Sequence, residues 1–181
     1  MIYLFLADGF EECEALAPLD ILRRAQIEVL TVGVTGKTVK GAHGVEIIAD
    51  IQENEVVLDN TLQGIILPGG MPGTTNLEKS KTVQKAIDYA ADNKLLISAI
   101  CAAPSILGHK GLLKNIKATC FTGFEKDLTG AFVCDCPVVC DGIFITALSA
   151  GAAFDFGYEI LSYLTDRKTA DKLKKQMHFT E

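Results

Sequence analysis

Four short stretches of the chain are mostly apolar with no polar alternation: Met1–Ala7 (MIYLFLA), Ile27–Val32 (IEVLTV), Gly64–Leu67 (GIIL) and Leu95–Ile100 (LLISAI). Between and after them, apolar residues recur at helical spacing over 11–25, 80–92 and 102–108. Strands that are apolar on both faces and alternate with helices predict a parallel sheet covered on both sides. Ala131–Leu148 differs, because Asp141-Gly142 sits between two apolar runs and signals a hairpin, which adds an antiparallel piece. A second short hairpin is expected from 37–40 and 45–48. The last 30 residues have helical spacing and are expected to cover one face. No repeat or low-complexity linker interrupts the 181 residues, so a single domain over 1–181 is expected.

Composition narrows the function classes. A formal net charge of -6 disfavours nucleic acid as a partner, since phosphates are held by clustered Lys and Arg. The one basic run, 166–175, alternates with acids and reads as a solvated helix face. Asp8, Glu11 and Glu12 follow the first apolar run too soon for an export signal or a membrane span. Six cysteines without an export signal are expected as thiols, with the cytoplasm as compartment.

In open parallel sheets, function concentrates beyond the carboxyl ends of the strands. Three such ends carry unusual residues here. After the first strand, Glu11, Glu12 and Glu14 crowd a helix start, where carboxylates also simply complement the helix dipole. After the third, LPGGMPGTTNL brings Gly69, Gly70 and Gly73, either as an ordinary loop or as backbone that approaches a ligand closely. It lacks the lysine of a phosphate-binding loop. After the fourth comes Cys101, followed by Ala102 and Ala103. A cysteine is commonly an inert core residue. On a sharp strand-to-helix turn it would instead stand above the sheet as a nucleophile, its thiol acidified by the helix start and the next N–H completing an oxyanion site.

GFEECEALAPLDILRRA, ILPGGMPGTTNL and AICAAPSILG together resemble the DJ-one/ThiJ/PfpI superfamily, in the branch of the Parkinson-associated protein and the bacterial ThiJ/YajL-like proteins, over residue 1 to about 164. The resemblance implies a flavodoxin-like three-layer α/β sandwich of the class I glutamine amidotransferase type, usually a homodimer, with no cofactor and no metal. It aligns Cys101 with the nucleophile, Glu14 with the acid that hydrogen-bonds it, and Gly69, Gly70 and Ala102 with the backbone oxyanion donors. The expected substrate is a small carbonyl compound, an α-oxoaldehyde attacked by a Cys101 thiolate that Glu14 supports. The same thiol would be open to oxidation.

The chain departs from the family pattern in three places. Phe121 occupies the position of a histidine that moves protons in many relatives. Ala102 stands where peptidase-like members place histidine, which argues against peptidase activity. Leu148-Ser149-Ala150-Gly151 replaces an Arg-Gly-Pro-Gly-like loop. His43 is the remaining ionisable candidate beside the site, with a surface or dimer-contact role as its alternative; His109 and His178 read as solvated. Cys134 and Cys136, two apart on an expected strand, and Cys140 lack the spacing of a metal knuckle. Cys13, between two glutamates, should be held protonated, and Cys120 reads as core. Three functions remain: an enzyme acting on α-oxoaldehydes or their early protein adducts (glyoxalase- or deglycase-like), an oxidation sensor or redox-linked chaperone, and a non-catalytic binding scaffold.

Overall fold

The structure, a computed structural model, describes residues 1–179. Strand β1 (Ile2–Leu6) is buried along its whole length and divides its side chains between two cores. Ile2, Leu4 and Leu6 enter one core with Ile21, Leu22, Phe156 and Leu161; Tyr3 and Phe5 enter the other with Ile65, Leu67, Val83 and Ile87. That division is why the run shows no polar alternation: both faces of the strand are covered. Helices α1 (Glu12–Arg24), α5 (Ala153–Leu164) and α6 (Arg167–Gln176) contribute to the first layer. Helices α2 (Gly73–Lys79), α3 (Lys81–Asp92) and α4 (Pro104–His109) contribute to the second or lie beside it.

The main sheet also contains β2 (Val29–Gly33), β5 (Ile51–Gln52), β6 (Gly64–Leu67), β7 (Leu96–Ile100), β10 (Val138–Asp141) and β11 (Phe144–Ala147), in the order β10-β11-β7-β6-β1-β2-β5. All pairings are parallel except β10 with β11, where Asp141 faces Phe144 across the Asp-Gly turn. The expected hairpin is therefore present, and its second strand joins β7 in parallel. Small two-stranded sheets form from β3 (Thr38–Lys40) with β4 (Glu46–Ile48) and from β8 (Lys117–Ala118) with β9 (Phe132–Val133).

The chain leaves β1 towards β2 on one side and returns to β6 on the other. This reversal opens a crevice at the carboxyl ends of β1, β6 and β7. The residues that follow those strands are Ala7 to Glu11, Pro68 to Gly73, and Cys101. The fold thereby brings together the three motifs singled out in the sequence.

Two local expectations fail. Gly73–Lys79 is helical, although its glycine and threonines read as loop. Cys134 and Cys136 lie in the segment between β9 and β10 rather than on a strand, and Cys136 is exposed.

Candidate active site

Cys101 follows β7 directly and has φ +64°, the left-handed region that a side chain with a Cβ rarely occupies. Such a residue costs of order 1–3 kcal/mol and persists only where its surroundings fix it. Here both peptide groups are held: the Cys101 N–H donates to Ala147 C=O at 2.9 Å, and its C=O accepts the Phe121 N–H at 2.8 Å. The result is an elbow that lifts the thiol out of the strand, directly ahead of α4.

Glu14 reaches the thiol from α1. Along that helix, Glu14 shares the core-facing stripe with Pro18 and Ile21, and only 1% of its surface is exposed. Its Oε2 accepts the Gly69 N–H at 2.9 Å, and its carboxyl is hydrogen-bonded to Cys101 and by the Ala150 N–H. Burial is the largest influence on this carboxyl and, with the charge of Glu11, raises its pKa to about 7 against the pull of those hydrogen bonds.

The thiol behaves differently from the sequence expectation. Burial, then the charge of Glu14 and its hydrogen bond, push Cys101 up to about 12, while the N–H groups of Gly70 and Ala102 pull the other way. Two backbone donors do not outweigh desolvation and a neighbouring anion, and α4, only six residues long, starts three residues beyond the sulfur. With Glu14 ionised, the proton rests on sulfur.

Gly70 and Ala102 thus direct their N–H groups at sulfur. Gly69 takes another part, because its N–H is spent on Glu14. A Cβ at Gly69 would lie 2.6 Å from both Cys101 Cβ and Glu14 Oε2, so the close approach of this backbone requires glycine. His43 is 72% exposed in its side chain; its Nδ1 lies 2.7 Å from Glu12 and 3.9 Å from Glu11. Its connection to the nucleophile is indirect, since Glu11 Oε2 accepts the Glu14 N–H at 2.8 Å. Ligating atoms of Glu11, Glu12 and His43 lie within 4.8 Å of one another. Both carboxylates sit at the positive end of α1, which opposes a cation, and Glu12 already accepts two hydrogen bonds from His43.

Other expectations resolve simply. Cys13 is exposed and held protonated by Glu11 first, then by burial and the charges of Glu12 and Glu14. Cys120 is buried. His109 pairs with Glu78 at 2.6 Å. Ala150 is the site residue that side-chain patterning missed, because it acts through its backbone N–H, which leaves no mark in the sequence.

The same overall chain arrangement recurs in known proteins. The DJ-1/PfpI family matches residues 1–163. The chain belongs to that family. Protein dj-1beta of Drosophila melanogaster is 31% identical over 175 residues, covering 95% of this chain and 93% of the relative. A protein of Caenorhabditis elegans called glutathione-independent glyoxalase DJR-1.2 is 31% identical over 178 residues, covering 97% and 94%. Among solved structures, a DJ-1 superfamily protein of Salmonella typhimurium, crystallised as a cysteine-to-alanine mutant, superposes with a TM-score of 0.93 at 30% identity over 99% of this chain and 98% of that one. An oxidised DJ-1 of Toxoplasma gondii gives 0.91 at 27% identity over 99% and 98%. The mainly parallel α/β sandwich is thus the fold of this family. Among the described residues, no helix is long and apolar enough to cross a membrane.

Proposed function

We propose that this chain is a Cys101-dependent enzyme that converts small α-oxoaldehydes into hydroxy acids, without a cofactor. The observation that carries this reading is the buried Glu14 carboxyl, hydrogen-bonded to a thiol on a strained elbow and raised to about 7. A carboxyl group with that pKa accepts and returns a proton near neutral pH. As sulfur attacks the aldehyde carbon, the S–H proton passes to the Glu14 carboxylate. A C–S bond forms, and the carbonyl electron pair becomes an alkoxide beside the N–H groups of Gly70 and Ala102. Glu14 then protonates that oxygen to give a hemithioacetal. Moving the C–H proton of the former aldehyde carbon to its neighbour, and the hydroxyl proton to the neighbouring oxygen, oxidises the first carbon and reduces the second, leaving a thioester. Water cleaves the C–S bond and releases the hydroxy acid with the thiol restored. The net change is addition of water, so no external oxidant is needed. The glyoxalase name of the C. elegans relative supports this reading.

A second reading is favoured by Phe121, which offers no proton-carrying group at the position next to the elbow. In that reading Cys101 is an oxidation sensor: sulfur takes oxygen from peroxide to give sulfenic acid and water, and a second peroxide gives sulfinic acid. Lactate formation from methylglyoxal by the wild type and by Cys101→Ser decides between them, with peroxide-treated protein alongside. Cysteine-dependent lactate supports the enzyme. Its absence together with a stable Cys101 sulfinate supports the sensor.

For assembly we propose a homodimer through the α1 face. A surface cleft of about 300 Å³ there is lined by Cys13, Leu16, Ala17 and Phe154, and Phe154 is 43% exposed. Sedimentation of the wild type and of Leu16→Glu tests it; a monomer in both overturns it.

A further inference from the structure

We propose that the cavity beside Phe121 is a substrate subsite for an uncharged, hydroxylated substituent on the oxoaldehyde. The inference rests on the enzymatic reading above and names the substrate class of that site. The cavity has a volume of about 220 Å³, and its lining includes Thr119, Thr122, Glu125, Cys134, Asp135 and Leu148. Its position follows from the elbow. Cys101 donates to Ala147, the neighbour of Leu148, and accepts from Phe121, which lies between Cys120 and Thr122. The two segments that hold the nucleophile's peptide groups are therefore also walls of this cavity.

Size and chemistry select the occupant. A methyl group, comparable to the ~30 Å³ share of one water, would leave such a space nearly empty. The lining offers two hydroxyls and two carboxylates, and neither lysine nor arginine is part of it. Glu125 Oε2 accepts the Gly123 N–H at 2.8 Å, which leaves its other oxygen for a ligand. Carboxylates accept hydrogen bonds from hydroxyl groups and repel phosphate or carboxylate substituents. A primary amine would satisfy the same charges, but on a free oxoaldehyde it condenses with the aldehyde. A hydroxylated chain, such as sugar breakdown leaves on an oxoaldehyde, remains.

The test compares kcat/KM for methylglyoxal, 3-deoxyglucosone and hydroxypyruvaldehyde phosphate, which carry a methyl, a polyhydroxyl and a phosphate substituent. In the wild type, 3-deoxyglucosone should exceed methylglyoxal by about tenfold or more, as expected for hydrogen bonds to charged groups, and the phosphate should be the poorest. The ratio of 3-deoxyglucosone to methylglyoxal should fall towards unity in Asp135→Asn with Glu125→Gln. Equal or higher values for methylglyoxal, or preference for the phosphate, would overturn the subsite. A readout without turnover separates this from failure of the enzymatic reading. In Cys101→Ser, 3-deoxyglucosone should slow iodoacetamide labelling of Cys134, followed by peptide mass spectrometry, whereas methylglyoxal should not. Protection without any wild-type turnover keeps the subsite and removes the enzyme; turnover without protection or preference removes the subsite alone.

Discussion

The Glu14 carboxylate oxygen Oε2 and the Gly69 N–H, 55 residues apart in sequence, meet at 2.9 Å inside the protein. This bond ties α1 to the glycine loop after β6 and fixes the carboxyl against the Cys101 sulfur. It also occupies the Gly69 N–H, so that the backbone donors directed at the sulfur are those of Gly70 and Ala102.

Gly69→Ala should therefore damage the site and the fold together. The added Cβ would lie 2.6 Å from Cys101 Cβ and from Glu14 Oε2, and 2.9 Å from Ile100 O. Overpacking of this kind costs typically about 1–3 kcal/mol, which for a chain of this size lowers Tm by roughly 2–4 °C per kcal/mol. Thermal melts should show that loss, with Cys101 labelling altered in the folded protein. Wild-type values for both would mean that the bond does not position the pair.

Glu14→Gln should stabilise the fold, but only at higher pH. The folded carboxyl titrates at about 7, against an ordinary value of 4.5, so the folded chain holds this proton more tightly than the unfolded one. Stability consequently falls as pH rises between those values. Below 4.5 the burial of Glu14 costs nothing in charge; above 7 the penalty is complete, about 3 kcal/mol. The amide keeps an oxygen for Gly69 and carries no charge. Tm of Glu14→Gln should exceed that of the wild type by several degrees at pH 8, and the gap should close at pH 4.5. A gap independent of pH would assign the effect to packing alone.

Much of this arrangement was legible in the sequence. The runs that became β1, β6 and β7 are apolar on both faces because two helix layers cover them, and their carboxyl ends located all three motifs. Glu14 carried a readable signal as well, a carboxylate on the same helical stripe as Pro18 and Ile21. What could not be read depends on distance. The thiol is pushed up because burial excludes water and Glu14 is near, and neither condition is written in AICAAPSILG. The glycine at 69 signalled a close backbone approach but not its partner, and the N–H of Ala150 has no residue-type signature, so the bonds of both to Glu14 emerged only from the fold. Helix α2 was hidden because a short helix packed by its neighbours needs little intrinsic propensity.

The same substitution should separate thiol reactivity from turnover. After burial, the charge of Glu14 is the next largest cause that pushes the Cys101 thiol up. Glu14→Gln removes that charge, so the thiolate fraction rises and iodoacetamide should label Cys101 faster than in the wild type at pH 7–8. Turnover should drop by about 10²–10⁴-fold, because the amide cannot take or return the proton. In the wild type, kcat/KM should climb with pH through about 7, as Glu14 ionises, and in Glu14→Gln that rise should disappear. Slower labelling in the variant would show that Glu14 promotes the thiolate at rest.

Phe121→His tests whether the missing proton carrier limits the reaction. The hemithioacetal needs one proton moved between adjacent carbons, and among the described residues Glu14 is the one titratable side chain hydrogen-bonded to the sulfur. The position can accept a histidine at small cost to the fold, because Phe121 is 45% exposed and its link to the elbow is a backbone hydrogen bond that any residue other than proline supplies. An exposed imidazole titrates near 6.5, so at pH 7.5 it is mostly neutral and able to accept a proton. General acid–base assistance is worth about 10²–10⁴-fold when well placed. Lactate formation by Phe121→His should exceed the wild-type rate by at least tenfold, and the gain should vanish when Cys101→Ser is added. Should Phe121→His remain folded and no faster, while wild-type turnover is measurable, the proton transfer already runs through Glu14 or water and Phe121 does not limit the rate.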